Sequence, residues 1–233
     1  SGSKSCRKIM ASCSGSRGEF WQRILEPHLL LAKTPAGTGA RAITPTTTMN
    51  EPAFDDPAGT WNKRFEGSGY LFGTEPNEYL RTHADRLRPG GRVLCVADGE
   101  GRNSVWLARR GMLVDAFDVA EVGVEKAKRL AAEAGVNVHF EVADCDGWPW
   151  PVAAYDAIVA IFIQFADPAM RERLFARIAA ALAPGGMLVL QGYTPQQLEF
   201  KTGGPPILSH LYTADMLRTA FGALEIVELD EYV

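Results

Sequence analysis

The sequence is short of the residues from which metal centres and disulfide frameworks are built. Its 233 residues include four cysteines and four histidines. Cys6, Cys13, Cys95 and Cys145 form no CxxC pair and sit in no metal-type histidine spacing. No metal site or disulfide scaffold is expected, and a reducing, cytoplasmic setting follows as the default. Long apolar runs are also missing. None approaches the ~18 residues of a membrane span, so no membrane partner is expected. A basic face is lacking as well. The formal net charge is −4, and residues 1–48 hold seven of the 24 basic residues against two of the 28 acids. The acidic remainder is ill matched to phosphate backbones, which argues against nucleic acid as a partner.

What is present is ordinary for a soluble globular chain, 46% hydrophobic and 22% charged, and long enough for one α/β domain with an appendage. Residues 1–48, rich in Ser, Thr, Gly and Arg, carry one short apolar patch at 24–31, interrupted by Pro27. They read as a flexible or non-native N-terminal extension outside the fold, with a transit peptide as the alternative. Residues 49–91 read as a lid and helix segment, and 92–233 as the main domain.

From Trp61 onward the pattern is regular. Short apolar runs predict strands at 92–97, 112–118, 136–142, 155–163, 187–192 and 224–231. Helical periodicity predicts helices over 77–87, 102–110, 122–134, 168–182 and 213–221, with Gly111 and Gly135 as helix stops and Pro168 in a first turn. Such alternation implies right-handed βαβ units and a doubly wound, mainly parallel sheet.

The chemistry concentrates in VLCVADGEGRNSVWLA, residues 93–108. A strand runs into a turn carrying Gly99 and Gly101, and the turn opens directly into a helix. Glycines there let a ligand approach the backbone, and the helix start beyond offers free N–H groups. Alone, this is also the pattern of a plain βα turn. Asp118 closes the second strand, 19 residues after Gly99. An acid at that place accepts the ribose hydroxyls of an adenine nucleoside. A strand-end aspartate capping the next helix is the simpler reading. These features fit both a dinucleotide and a sulfonium nucleoside. Ser104 at the third-glycine position, and the absence of a Tyr-x-x-x-Lys pair after Tyr193, count against the dinucleotide.

Four motifs carry a resemblance: the turn 95–101, Asp118, Asp144 in VADCD, and LAPGGMLVL at 182–190. On these, the chain from Trp61 onward resembles the class I S-adenosylmethionine (SAM)-dependent methyltransferases, with their Rossmann-like fold. WNKRF (61–65), YLFGTEPNEYL (70–80), GYTPQQL (192–198) and TGGPP (202–206) are similar to the tellurite-resistance and thiopurine methyltransferase-like subgroup. The resemblance implies SAM as cofactor and a small-molecule methyl acceptor as partner. It implies that Ala97, Gly99 and Gly101 shape the turn around the methionine part and that Tyr70 closes over it. Asp118 would take the ribose, Val119 lie on the adenine, Asp144 with Cys145 reach the adenine amino group, and Ala160 and Ile161 line the sulfonium floor. Gln164, Asp167 and Tyr193 are the candidates facing the acceptor, each with an ordinary loop role as the alternative. A soft sulfur, selenium or tellurium acceptor requires no general base.

Two departures stand out. Cys95 and Ala97 replace the usual acid and first glycine, leaving Asp98 or Glu100 to take over. The sheet is expected either to lack its final antiparallel strand or to end in an unusual edge, because the sequence stops just after strand six. His83 and His210 read as solvated or capping residues, and Trp148 and Trp150 as packing for the loop after strand three.

Overall fold

Continuous apolar runs such as 93–96 and 157–161 suit strands covered on both faces, and such strands form the middle of the sheet. The computed structural model describes residues 26–33, 56–200 and 204–232. Among them seven strands form one sheet: β1 (Glu26–Ala32), β2 (Arg92–Val96), β3 (Leu113–Asp118), β4 (Val138–Val142), β5 (Tyr155–Ile161), β6 (Leu182–Gln191) and β7 (Glu225–Tyr232). The helices are α1 (Pro57–Phe65), α2 (Glu78–His83), α3 (Arg102–Arg109), α4 (Glu121–Ala134), α5 (Pro168–Ala181), the single turn α6 (Gln197–Phe200) and α7 (Ala214–Ala220). The sheet order is β4-β3-β2-β5-β6-β1-β7, with β2 to β6 mutually parallel. Strand order reverses between β2 and β5. Ligands of open α/β sheets bind beyond the carboxyl ends of the strands at such a point.

Alternation sorts the core onto two faces. Leu94, Val96, Ile158, Ala160, Leu188 and Leu190 pack on one, while Val93, Cys95, Ala157, Val159 and Val189 pack on the other. Helix starts are fixed by side-chain caps: Asp56 accepts from Gly59 N, Asn77 from Leu80 N, Asp167 from Met170 N and Thr213 from Met216 N. The doubly wound, mainly parallel sheet matches the expectation, and the strand and helix positions agree to within a few residues. The main exception is β6, which begins at Leu182 and so takes in the whole LAPGG stretch.

The antiparallel strand is present, and it comes from the other side of the sequence. Strand β1 lies between β6 and β7 and is antiparallel to both, with His28–Ala32 opposite Gln191–Met187 and Glu26 opposite Tyr232. This departs from the expectation that residues 1–48 lie outside the fold, and of the two alternatives for the sheet it realises the unusual edge. Residues 1–25 and 34–55 lie outside the described residues. The physical reason is a pair of adjacent leucines. Leu30 and Leu31 point to opposite faces, enter the two core clusters and are completely buried. Burying each stabilises by about 1.5–3 kcal/mol. Pro27, which made the patch look unfit for a strand, sits at its end, paired only with Glu231 of β7. Lys33 then locks the APGG stretch. Its N–H donates to Gly186 O at 2.9 Å, its carbonyl accepts from Gly185 N at 2.7 Å, and its Nζ donates to Leu182 O at 2.8 Å and Ala179 O at 3.1 Å at the end of α5.

Candidate functional site

The turn after β2 is built on backbone that side chains resist. Ala97 has φ +49°, Gly99 +61° and Gly101 +88°. A β-carbon on Gly101 would stand 2.7 Å from the Ala127 methyl of α4, so only glycine lets α3 and α4 approach this closely. Ala97 holds the left-handed conformation despite its side chain, which costs roughly 1–2 kcal/mol. The turn is tied to the neighbouring strand by the residues that the sequence singled out. Gly99 N donates to Asp118 Oδ2 at 2.8 Å, and Ala120 N donates to Oδ1 at 2.8 Å. Asp118 is buried, and desolvation pushes its pKa up against those two hydrogen bonds and one from Val119 N. With three of about four acceptor sites used, the carboxylate retains capacity for a further donor.

Asp98 is the most perturbed carboxyl of the turn. Burial pushes its pKa up to about 7, a hydrogen bond from Ser104 Oγ opposes this, and the Asp118 charge adds to it. Its Oδ1 is buried with no hydrogen-bond partner among the described residues. Ser104, which stands where a dinucleotide fold places a third glycine, thus grips the turn from within α3. A raised carboxyl pKa means that the folded state disfavours the ionised form. Its stabilising share is complete below the ordinary carboxylate range near pH 4 and is lost as pH rises through about 7. Asp98→Asn is therefore expected to stabilise the ligand-free protein at pH 8 by about 1–3 kcal/mol, the cost of a buried unsatisfied group. The gain should fade between pH 7 and 4. Thermal melts across that range check it, and a gain independent of pH would overturn it.

Strand β4 brings the third motif to the same place, since Ala143 N donates to Asp118 O at 3.0 Å. Asp144 Oδ1 accepts from Asp146 N and Gly147 N at 3.0 and 2.5 Å, fixing a tight turn. Cys145 points into the core, where burial pushes its thiol up to about 12. Its carbonyl accepts from Trp150 Nε1 at 2.8 Å and Arg177 Nη1 at 2.7 Å. Trp148 stacks on Phe117 at 4.9 Å and Trp150 meets it edge-on at 5.9 Å, so both tryptophans pack the loop as expected. Val119 is partly exposed just beyond Asp118, and Ala160 and Ile161 end β5 at the switch point.

The acceptor-side candidates separate. Gln164 is wholly engaged in holding loops: its Nε2 donates to Tyr193 O at 2.8 Å and His210 O at 3.2 Å, and its Oε1 accepts from Tyr193 N at 2.5 Å. Asp167 caps α5 through Met170 N at 2.7 Å. Tyr193 stacks on Phe162 at 4.9 Å, and Phe162 has φ +58°, a strained conformation of the kind that gathers at binding sites. Both rings stay partly exposed at the carboxyl ends of β5 and β6. His210 is buried, its Nδ1 3.0 Å from Gln164 O. His83 pairs with Glu228 of β7 at 2.7 Å. Of the two roles read from the sequence, capping fits His83, whose Nδ1 lies 2.8 Å from Tyr79 O at the end of α2, while the buried His210 fits neither.

Three placements were not legible. Glu100 does not stand in for the missing acid at position 95. It forms a buried ion pair with Lys126 at 2.7 Å, the side chains 3% and 6% exposed. Tyr70 rests on α4, its hydroxyl 3.4 Å from Lys126 O. Phe65, at the end of WNKRF, packs under the turn, its ring 3.3 Å from where a Gly99 β-carbon would be. A surface concavity of about 580 Å³ at the opposite end of the sheet is lined by Arg92, Asp115 and His139. Its charged groups pair with one another, Arg92 at 2.8 Å and His139 at 3.2 Å from Asp115. Among the described residues no helix is long and apolar enough to cross a membrane.

Comparison with known proteins agrees with this fold. Residues 93–186 match the family described as a methyltransferase domain. A demethylmenaquinone methyltransferase of Thermus thermophilus is 34% identical over 106 residues, covering 45% of this chain and 48% of that protein. An uncharacterized protein of Mycobacterium bovis is 30% identical over 111 residues, covering 47% of this chain and 40% of that one. The chain thus spans less than half the length of these relatives. Among solved structures, Escherichia coli YJHP superposes with a TM-score of 0.51 at 24% identity, covering 70% of this chain and 69% of that one. The [4+2]-cyclase SpnF does so with a TM-score of 0.51 at 26% identity, covering 61% and 54%.

Proposed function

We propose that this chain, whose residues 93–186 match a methyltransferase-domain family, is a class I SAM-dependent methyltransferase that binds SAM at the Ala97–Gly101 turn and methylates a small-molecule acceptor. The observation that carries the reading is the joining of the turn to Asp118 through Gly99 N. It brings an acid with spare acceptor capacity beside the glycine turn. The orphaned Asp98 Oδ1 is a second fit, because an ammonium group is the donor such an oxygen lacks.

SAM supplies a methyl group on a sulfonium, activated for in-line displacement. The chain's part is positioning. Ala97, Gly99 and Gly101 hold the methionine end, Asp118 takes the ribose hydroxyls and Val119 flanks the adenine. Asp144 and the Cys145 backbone meet the adenine edge, and Ala160 and Ile161 form the floor. The Phe162–Tyr193 stack borders the acceptor. Gln164 acts on it at one remove, by fixing the Tyr193 backbone. Since Gln164 and Asp167 are committed to the fold, the acceptor reading is a nucleophile that needs no base from them. A sulfur or other chalcogen centre of the subgroup type meets that requirement.

Calorimetry with SAM and S-adenosylhomocysteine, followed by a methyl-release screen over thiols, selenols, halides and oxyanions, tests this. Binding with turnover on a thiol or selenol is expected. No binding would sink the proposal. Binding without turnover on any acceptor would favour a second reading, a SAM-binding protein without methyl transfer. The commitment of the Gln164 side chain to the loops of Tyr193 and His210 is what keeps that reading in view.

A further inference from the structure

The segment between α1 and α2 is held by side chains from the cofactor turn, and they grip its backbone. Glu100 Oε2 accepts from Leu71 N at 2.6 Å. Lys126 Nζ donates to Gly69 O at 2.6 Å and to Glu100 Oε1 at 2.7 Å. Arg102 Nη1 donates to Phe72 O at 3.3 Å, its guanidinium 5.6 Å from the centre of the Phe72 ring. Asn103 Oδ1 accepts from Asn77 N at 2.9 Å. Four backbone groups within residues 69–77 are thus read by Glu100, Arg102, Asn103 and Lys126. The Leu71 and Phe72 side chains are left about half exposed.

We infer that these four are positioning residues that tie the order of segment 69–77 to occupancy of the cofactor turn, an inference that rests on the SAM site proposed above. Glu100 lies between Gly99 and Gly101, and with Lys126 it is almost fully buried. Two buried charges are tolerable only while both are fully hydrogen-bonded. Lifting the segment strips Leu71 N from Glu100 and Gly69 O from Lys126. The pair must then shift toward water, and Glu100 carries the turn backbone with it. A turn pinned by cofactor resists that shift, so the cofactor holds the segment down. By linkage, an ordered segment tightens cofactor binding by the same factor.

The test is amide-resolved hydrogen exchange on the full chain, with and without S-adenosylhomocysteine, alongside calorimetry. In the wild type, saturating S-adenosylhomocysteine should slow exchange at Leu71 and Asn77 by about tenfold, within the usual range of coupling. Lys126→Met should speed exchange at Leu71 while the β2 amides Val93–Val96 stay protected, and should weaken S-adenosylhomocysteine binding about tenfold. Lys126→Arg should restore both. If Lys126→Met fails to fold, Arg102→Leu supplies the same readouts at Phe72 and Asn77 from a more exposed position. Binding of S-adenosylhomocysteine with exchange at Leu71 and Asn77 unchanged overturns the coupling alone. No binding by the wild type overturns the SAM assignment, and the coupling with it.

Discussion

Leu31→Asp is expected to unfold the domain or to lower its melting temperature by roughly 10 °C or more. Leu31 is completely buried in the core cluster that also holds Leu94, Ile158 and Leu188, and it lies in β1 opposite Leu188. A carboxylate there would sit in a cluster of apolar side chains, and removing an uncompensated charge from water costs several kcal/mol. Total stabilities are about 5–15 kcal/mol, and 1 kcal/mol moves the midpoint of a domain this size by about 2–4 °C. Leu31→Met, which conserves volume, should cost less than about 1.5 kcal/mol. Circular dichroism melts of the three proteins decide the matter. A Leu31→Asp protein that melts like wild type would mean that the β1 slot can empty without harm to the sheet.

Asp118→Ala should weaken SAM binding by about 100-fold. Two ribose hydroxyls donating to a charged acceptor contribute roughly 1.5–3 kcal/mol each, and 1.4 kcal/mol is a factor of ten. The substitution also frees Gly99 N and Ala120 N, so the turn loses the bonds that fix it. Asp118→Asn keeps one acceptor oxygen and should fall between the two. Asp115→Ala is the matched control. Asp115 lies three residues earlier in the same strand and pairs with Arg92 and His139 at the far end of the sheet. Its loss should leave the SAM affinity unchanged. Equal losses for the Asp115 and Asp118 variants in calorimetry would show that strand stability, and not ribose recognition, governs binding.

Much of this was legible because it depends on local patterns. The parallel strands announce themselves as apolar runs bounded by Gly and Pro, and Gly99, Gly101 and Asp118 by their spacing. Two kinds of feature escaped. Strand β1 did so because HLLL is too short to reveal a period, and its burial depends on β6 and β7, more than 150 residues away. The grip on segment 69–77 did so because a charge pair 26 residues apart leaves no periodic trace. Glu100 and Lys126 each look like surface residues until the turn and α4 meet. The roles of Gln164 and Asp167 were misleading for a related reason. A polar residue in a loop at the right end of the sheet looks available to a substrate, and only the three-dimensional partners show that it is already in use.

The pairing of Glu26 with Tyr232 makes the two ends of the sheet's outer hairpin neighbours. Run in the direction β7 then β1, those strands form an up-and-down pair whose second member slots beside β6. A two-residue turn joining position 232 to position 26, with new ends opened between positions 33 and 56, would convert one connectivity into the other without moving a strand. The order and register of the sheet would survive such a permutation.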